Sequence, residues 1–388
     1  MAILATELLI PADDPDSVER PNDALSETGL CLSGGGYRAM LFHVGSLWRL
    51  YESGVLGKVH RISSVSGGAI TAAILAQTWD QLMKSDRDVD VFKATIVTPI
   101  RKLASKTIDI PAIVKAILFP ATTGEYVAAA YRRYLFGDAT LQDLPNSPIF
   151  VINATNVQSG ALWRFTRKYM RDYRVGEVEY PDVLLSVAVA ASSAFPPFLS
   201  PLELRLHPDR FTKGSGKDLQ REPFDRMAVL TDGGVYDNLG LETVWKRCAA
   251  VLVSDGGGKM TPSARPARNW LCHSRRVLDL VDNQVRALRK RQLIESYTLP
   301  AADEHHREGG YWGIRTDIRK YGLSNALPCP FEKTTALADM PTRLARVAPT
   351  LQEKLINWGY AVCDAAVRKH VDPSITAPQD FPYPQSGI

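Results

Sequence analysis

The first hundred residues alternate between short apolar runs and longer stretches with helical spacing. Residues 29–32 form an apolar run typical of a strand, and residues 37–50 then carry apolar side chains three and four positions apart. Residues 60–65 and 69–82 repeat the same order. Two successive strand–helix pairs predict parallel strands covered by helices, which is an α/β fold.

The next segment, residues 83–136, interrupts this alternation. It is rich in Ile and Val, is broken by Pro99, Pro111 and Pro120, and carries several lysines and arginines. We interpret it as inserted helices, separated where proline ends them. They form a lid or a lipid-facing rim, or they pack against the main sheet; we favour the lid or rim.

The strand pattern then resumes. Residues 149–154, 227–230 and 249–254 are continuous apolar runs typical of buried strands. Residues 180–191 have a helical pattern. Residues 205–226 are polar and rich in Gly, Lys and Asp, and we expect them to form a mobile loop.

A long basic amphipathic pattern covers residues 270–297. One side carries apolar residues and the rest carries arginines and lysines. We expect a helix that packs its apolar side on the core and leaves a basic face in solvent, with a membrane-surface helix as the alternative. Residues 341–370 also look helical. The apolar positions of the basic helix are Val277, Val281, Val285 and Leu288.

Length and composition fit one large domain with additions. The chain has 388 residues, of which 45% are apolar and 23% are charged, so it can bury a substantial core. We divide it into a polar lead-in at 1–27, a core at 28–260 with 83–136 as a helical insertion or lid, and a C-terminal helical extension at 261–388 that packs on the core.

The charge is too small to indicate a nucleic-acid partner. A net charge of +4 is dispersed along the chain, although it permits attraction to anionic lipid. The five cysteines form no CxxC pair, so we expect neither a disulfide framework nor a zinc site, and a reducing compartment is favoured. No acidic cluster has the spacing of metal ligands, so we expect no metal.

We also expect neither a secretory signal nor a membrane span. Residues 1–26 have several acidic residues close behind a short apolar stretch and no basic leader, so we expect no secretory signal. No run of about 18 apolar residues exists, so we predict that the chain does not span a bilayer.

Ser66 is a candidate nucleophile. It lies between a strand-like run and a helix-like run, where a tight turn would lift its hydroxyl clear of the sheet. The turn is similar to the G-x-S-x-G nucleophile elbow, with Ser64 in place of the first glycine and Gly68 at the last position. Taken alone, such a Ser/Gly cluster is more often simply a turn.

The run Gly34–Gly35–Gly36 is a candidate binding site for a negative charge. Glycines leave main-chain N–H groups unshielded, and the helix that follows adds its dipole. A flexible turn is the alternative; the match to the GxGxxG nucleotide motif is only partial, and the phosphate loop is absent. Arg38 either braces this loop by binding carbonyls, which we favour, or guides an anionic head group.

Asp232 is the strongest candidate base. It follows an apolar strand in an Asp-Gly-Gly turn, where a partly desolvated carboxylate beside a serine can accept its proton without an imidazole. The alternative is an Asp-Gly turn that ends a strand. The histidines are weaker candidates, because His43 and His60 carry no recognisable signature and the others lie in polar stretches.

These three segments, in this order, resemble the patatin-like phospholipases. That family is marked by a G-G-G-x-R-G loop, a G-x-S-x-G elbow and a D-G-G or D-G-A turn, and the resemblance covers residues 29–258. Ala39 and Ser64 replace glycines of the pattern, and both are small. The matching segments are Gly34-Gly35-Gly36-Tyr37-Arg38-Ala39, Ser64-Val65-Ser66-Gly67-Gly68 and Asp232-Gly233-Gly234.

The resemblance implies a three-layer α/β/α fold with a mostly parallel central sheet. It also implies a Ser–Asp dyad in which Ser66 is the nucleophile and Asp232 the base. Gly34, Gly35 and Gly36 would be the oxyanion donors, and Arg38 an oxyanion- or substrate-binding neighbour.

The implied activity is that of a serine acyl hydrolase, of the phospholipase A or lysophospholipase type, which cleaves ester-linked fatty acids from membrane phospholipids without a cofactor. We expect a cytoplasmic protein, peripheral at the inner membrane face, whose partner is the phospholipid surface. One alternative is a phospholipase effector that stays silent until a small-molecule or protein activator orders residues 205–226. A non-catalytic lipid-binding scaffold is another, although binding alone needs neither nucleophile nor base.

Overall fold

The computed structural model describes residues 27–260 and 262–388, with only the backbone of Leu271. The predicted absence of a signal in residues 1–26 therefore lies outside the described residues. Within them, ten strands form one sheet. The strands are β1 (Glu27–Leu32), β2 (Arg61–Ser64), β3 (Ile149–Asn156), β4 (Leu162–Phe165), β5 (Tyr169–Asp172), β6 (Gly176–Glu179), β7 (Leu202–Arg205), β8 (Met227–Asp232), β9 (Cys248–Asp255) and β10 (Glu308–Gly313).

Helices cover the sheet and connect its strands. Two π-helical stretches, Lys93–Val97 and Arg132–Phe136, lie among them. The α-helices are α1 (Gly36–Glu52), α2 (Gly67–Lys84), α3 (Val89–Phe92), α4 (Thr98–Ala104), α5 (Asp109–Leu118), α6 (Thr123–Tyr131), α7 (Leu185–Ser192), α8 (Gly234–Asp237), α9 (Glu242–Trp245), α10 (Trp270–Ser296), α11 (Phe331–Ala338) and α12 (Pro349–His370).

The centre of the sheet is parallel. Its order is β10-β9-β1-β2-β3, and each neighbouring pair runs in the same direction. The antiparallel strands β4, β5 and β6 extend the sheet beyond β3, and β8 also pairs with β3. Because parallel neighbours need crossover helices, this order produces the predicted α/β/α layers, and the predicted fold class is confirmed.

The two faces of the sheet bury different cores, as the alternation of side chains along a strand requires. Leu30, Leu32 and Leu252 face the larger core, which includes α1, α2 and α12. Cys31 and Val253 face a smaller core on the other side, which α9 and the C-terminal turn of α10 complete. The sheet is therefore buried on both faces, which explains why its central strands read as continuous apolar runs.

The inserted segment 83–136 combines both arrangements considered above, because some of its residues pack against the sheet and others are exposed. Phe92, Ile96 and Ile100 are fully buried in the main core. By contrast, α5 exposes one apolar side to solvent. Part of the insertion thus packs in the main core, and the exposed side of α5 forms a rim. The exposed apolar residues of the rim are Ile110, Val114, Ile117, Leu118 and Phe119.

The orientation expected for the basic helix α10 is wrong. Val277, Val281 and Leu288 are exposed rather than packed on the core. Arg289 and Lys290 face the protein instead. Arg289 Nη2 lies 2.9 Å from a carboxylate oxygen of Glu242, and Lys290 lies over the ring of Tyr311. Buried acceptors in the core therefore draw the cations inward and leave the apolar side in solvent.

Residues 205–226 are tied to the β5–β6 hairpin rather than extended from the surface. Arg174 forms two hydrogen bonds with Asp218, at 3.1 and 2.6 Å, and Leu219 N–H donates to the Arg174 carbonyl at 2.8 Å. Thr212 N–H donates to the Glu177 carbonyl. This segment thus has fixed neighbours on the side of the sheet that β5 and β6 extend.

Among the described helices, none has both the length and the apolar character needed to cross a bilayer. All five cysteines are free thiols, and four of them are buried. No group of three metal-binding side chains occurs in the described part of the chain.

Candidate active site

Ser66 occupies a strained turn between β2 and α2. Its φ of 51° and ψ of −118° lie in a region that side chains other than glycine rarely adopt. Such strain persists only where the surroundings hold it, and here the Ser66 N–H donates to Ser192 Oγ at 2.9 Å. The side chain is 7% exposed. The backbone thus has the conformation expected of a nucleophile elbow.

The two glycines after Ser66 are required by close backbone contacts. A Cβ on Gly67 would lie 2.2 Å from the Gly36 carbonyl oxygen, and one on Gly68 would lie 2.2 Å from that of Leu32. The start of α2 therefore packs directly on the glycine-rich loop after β1. Any larger residue at either position would push the serine away from that loop.

The two departures from the family pattern are accommodated without crowding. Ser64 is fully buried, and its hydroxyl donates to the Val151 carbonyl at 3.1 Å. Ala39 is also fully buried, and its methyl group fills the space between Gly35 and Gly256. Small side chains at both positions are therefore part of the packing around the turn.

Asp232 ends β8 with its carboxyl group almost wholly buried, at 2% exposed. Its Oδ1 accepts the Gly234 N–H at 2.7 Å, whereas its Oδ2 has no hydrogen-bond partner within residues 27–260 and 262–388. Burial raises the pKa of this carboxyl to about 7, while the Gly234 amide and the nearby Ser66 hydroxyl act to lower it. Because burial prevails, the carboxyl changes charge near neutral pH.

Ser66 and Asp232 line the same open cleft of about 330 Å³. The Ser66 hydroxyl is near enough to affect the pKa of Asp232, but no hydrogen bond of ordinary length and angle joins the two side chains. In the absence of substrate such contacts are often loose. The structure thus brings together the two side chains that are most distant in the predicted site.

The glycine-rich loop connects β1 to the N-terminus of α1. Gly34 N–H already donates to the Asn238 carbonyl at 3.0 Å. The N–H groups of Gly35 and Gly36 have no acceptor among the described residues, and both glycines have positive φ. We therefore keep Gly35 and Gly36 as candidate oxyanion donors and assign Gly34 to holding the loop.

Gly67 is a further amide that the sequence analysis did not select. Its N–H also lacks an acceptor among the described residues, and it directly follows Ser66 at the first position of α2. The residue after the nucleophile commonly donates to the oxyanion in nucleophile elbows. That rule, applied to the motif, would have identified it.

Arg38 braces the glycine-rich loop. Its Nε donates to the Gly256 carbonyl at 3.2 Å, its Nη2 donates to Thr342 Oγ1 at 3.1 Å, and its Nη1 donates to the Met340 carbonyl. The side chain is buried, which lowers its pKa to about 10. With its donors engaged by the protein, this geometry supports the bracing role rather than contact with an anionic head group.

The described histidines lie outside the cleft. His43 is buried below the glycine-rich loop, where its Nε2 lies 2.9 Å from the Ser33 carbonyl and its Nδ1 lies 2.8 Å from Ser254 Oγ. Because the carbonyl only accepts, Nε2 carries the proton and Nδ1 accepts from the serine. Burial lowers the pKa of His43 to about 4, so it is a neutral structural group.

The other wall of the cleft comes from the C-terminal region. Residues 338–343 and α10 contribute both cations and acids to it. Asp282 is the acid of this wall that acts on Asp232, because its negative charge raises the pKa of Asp232. Burial also raises the pKa of Asp282 itself, to about 6. The charged residues of this wall are Arg275, Arg276, Asp279, Asp282, Arg315, Asp339 and Arg343.

An α/β sheet with a strained serine at a strand-to-helix turn is one of the architectures found among serine hydrolases. Within that class, the family model described as patatin-like phospholipase matches residues 30–245, more than half of the chain. The chain belongs to the patatin-like phospholipase family.

Solved phospholipases share the fold. Human GIVD cytosolic phospholipase A2 in complex with methyl gamma-linolenyl fluorophosphonate matches with a TM-score of 0.52 at 13% identity, over 90% of this chain and 60% of that one. Its complex with the same inhibitor and terbium chloride matches with a TM-score of 0.50 at 14% identity, over 93% and 60%. The chain thus spans about 60% of the length of the human enzyme structures.

A bacterial protein, VipD from Legionella pneumophila, matches with a TM-score of 0.37 at 14% identity, over 88% of this chain and 66% of that one. The two human phospholipase matches, at 13% and 14% identity, show a common fold alone. No curated protein matches the sequence.

Proposed function

We propose that this protein is a serine acyl hydrolase that cleaves ester-linked fatty acids from membrane phospholipids, with Ser66 as nucleophile and Asp232 as base. One observation carries the proposal. The carboxylate oxygen Oδ2 of Asp232 has no hydrogen-bond partner in the described part of the chain, lies beside a strained serine, and belongs to a group whose pKa is raised to about 7. A base poised near neutral pH is suited to accept a hydroxyl proton.

The first half-reaction forms an acyl enzyme. Asp232 Oδ2 accepts the proton of the Ser66 hydroxyl while Oγ attacks the ester carbonyl carbon. The amides of Gly35 and Gly36 stabilise the negative charge on the carbonyl oxygen, and the N-terminal end of α1 adds its positive potential. The ester C–O bond then breaks, and the proton passes from Asp232 to the departing lysophospholipid oxygen.

The second half-reaction repeats the chemistry with water. Asp232 accepts a proton from water as the water oxygen attacks the acyl carbonyl. The bond to Ser66 Oγ breaks, Oγ takes the proton back, and the fatty acid leaves. No metal or cofactor is needed for either half.

Apolar residues on both sides of the cleft support a membrane substrate. The N-terminus of α5 is joined to the cleft through Asp109, which accepts from Arg343 Nε at 2.9 Å, and the same helix exposes Ile117 and Leu118 at 77% and 67%. On the other side, α10 exposes Val277 and Val281 beside the cleft residues Arg275 and Arg276. Exposed apolar groups among cations fit an anionic phospholipid surface.

A fluorophosphonate probe tests the proposed nucleophile. The probe phosphonylates an activated serine, and we expect peptide mapping to place the label on Ser66 and Ser66→Ala to abolish it. Ser263→Ala, at an exposed serine, is the matched control. Fatty-acid release from phospholipid vesicles should vanish with the label. A label on another serine, or none while release continues, would overturn the proposal; binding to vesicles with neither label nor release would favour a scaffold.

A further inference from the structure

A second cavity lies at the opposite edge of the sheet from Ser66. It has a volume of about 270 Å³ and is lined by the first residues of β2 and β3, Arg61 and Ile149. Five cations and a single carboxylate surround it. The cations are Arg61, Arg167, Lys168, Arg171 and Arg247, and the carboxylate is Glu177.

Arg61 is buried in this cavity and has no partner among the described residues. It is only 6% exposed, and its Nε has no hydrogen-bond acceptor. Within residues 27–260 and 262–388, its guanidinium forms no hydrogen bond or ion pair. Burial lowers the pKa of Arg61, because a buried charge is costly, and the like charge of Arg247 lowers it further, whereas Tyr169 and Glu27 act to raise it. An anion in the cavity would supply the missing charge and acceptors.

The neighbouring cations are held in place around Arg61. Arg167 is fixed by its Nη1, which donates to the carbonyls of Leu144, at 2.7 Å, and Gln142. Arg171 Nη1 lies 3.4 Å from Glu177 Oε2, so the carboxylate among the described lining residues already forms an ion pair with an arginine. Lys168 stands exposed at the rim. Cationic side chains therefore outnumber carboxylates among the described residues that line the cavity.

We propose that this cavity binds a soluble, phosphate-bearing small molecule. Guanidinium groups recognise phosphate oxygens through paired hydrogen bonds, and several cations match a multiply charged anion. The volume suits a small ligand rather than a polymer. The exposed apolar surfaces of α5 and α10 flank the other edge of the sheet, so a lipid head group presented by a membrane at that surface would not reach this cavity.

The position of the cavity separates it from the proposed catalytic cleft. Arg61 begins β2, and Ser66 follows its end, which places them roughly 15 Å apart along an extended chain. A phosphate bound at the glycine amides can therefore be distinguished from one bound at Arg61 by mutation. Failure of this proposal and failure of the proposed hydrolase function are independent.

Titration calorimetry of the full chain with inorganic pyrophosphate tests the site. We expect a Kd below about 1 mM, at least tenfold weaker binding in Arg61→Gln, and about threefold weaker binding in Lys168→Gln. Lys84→Gln, at an exposed lysine of α2, should bind like the wild type. If Arg61→Gln does not fold, Arg247→Gln together with Lys168→Gln carries the test.

Three outcomes would overturn the proposal. The first is no binding of pyrophosphate by the wild type. The second is an affinity that is equal in the wild type and the variants of the cavity. The third is that Lys168→Gln weakens binding to vesicles containing phosphatidic acid while pyrophosphate does not bind, which would assign the cavity to a lipid head group.

Discussion

The two walls of the cleft differ in how the chain builds them. One wall consists of turns directly after β1, β2 and β8, and each turn carries its own short motif. The other wall consists of residues 338–343 and α10, which reach the cleft only through contacts such as that from Arg38 to Thr342, across 304 residues. The difference suggests that the motif wall performs the chemistry, while the C-terminal wall sets access and electrostatics.

Removal of the nucleophile on the motif wall should cause the largest loss of activity. We expect Ser66→Ala to lower fatty-acid release by about 10⁴-fold or more, because the remaining amides can stabilise the oxyanion but nothing attacks the ester. Circular dichroism and melting should remain close to those of the wild type. Rates within tenfold of the wild type would assign the chemistry to another residue.

Asp232→Asn should lower fatty-acid release by about 10³-fold, because the Asn side chain cannot accept the proton of the Ser66 hydroxyl. In the wild type, kcat/KM should rise with pH through about 7 as Asp232 ionises. Asp80→Asn, at an exposed acid of α2, is the control for this variant. A flat profile across this range would contradict the assignment of Asp232.

Asp232→Asn should also make the protein more stable at alkaline pH. The folded pKa of about 7 lies above the unfolded value of 3.8, so the folded state holds the proton longer and wild-type stability falls as pH rises between them. The effect reaches at most about 4 kcal/mol. Melting curves of the wild type and the variant should therefore diverge from pH 4 to pH 8, with the variant higher.

Crowding the turn should have a smaller but still large effect. A Cβ on Gly67 would lie 2.2 Å from the Gly36 carbonyl oxygen, so Gly67→Ala should lower kcat by about 10²-fold and destabilise the fold by about 2 kcal/mol. Gly57→Ala is the matched control, since its Cβ would meet only the Met83 sulfur at 3.8 Å. Equal melting temperatures for the two variants would show that the close contact is unimportant.

A change in the exposed apolar rim of α5 should affect only the contact between the enzyme and a lipid surface. Leu118→Asp should lower release from anionic vesicles by about tenfold, because a charge at the surface opposes contact with lipid. Its rate on a water-soluble short-chain ester should not change. Val157→Asp, at an exposed valine after β3, provides the comparison. A loss of the same size on the soluble ester would place Leu118 in the catalytic fold instead.

The smallest effect is expected from the C-terminal acid. Asp282 raises the pKa of Asp232, so Asp282→Asn should lower the midpoint of the pH–rate profile by less than about one pH unit. The maximal rate should change by no more than about threefold. A midpoint that stays in place or moves upward would show that α10 does not act on the charge of Asp232.

Sequence could predict the motif wall because its signals are local. Gly34–Gly36 and Ser66 follow the neighbouring parallel strands β1 and β2, whose carboxyl ends meet at one edge of the sheet. Asp232 ends β8, which pairs antiparallel with β3, so its motif alone indicated that it belongs to the site. Which glycine amide stays free could not be read from the motif. Gly34 loses its N–H to Asn238, and that contact depends on the three-dimensional path of a later turn.

The C-terminal wall could be predicted only as helices. Periodicity identified an amphipathic helix at 270–297, but a stripe does not reveal which of its sides meets the protein. Glu242 on α9 binds Arg289 and turns the basic side inward, which no pattern within the helix records. For the same reason the sequence did not identify Asp282 and Arg343. They lie at the cleft only because α10 and residues 338–343 pack next to the turns in three dimensions.

A double-mutant comparison tests most directly whether Ser66 and Asp232 act as one unit. Fatty-acid release from phospholipid vesicles would be measured for Ser66→Ala, for Asp232→Asn and for the variant carrying both. If the carboxylate works only through the hydroxyl, the double variant should be no slower than Ser66→Ala. A double variant whose loss equals the product of the two separate losses would contradict the account.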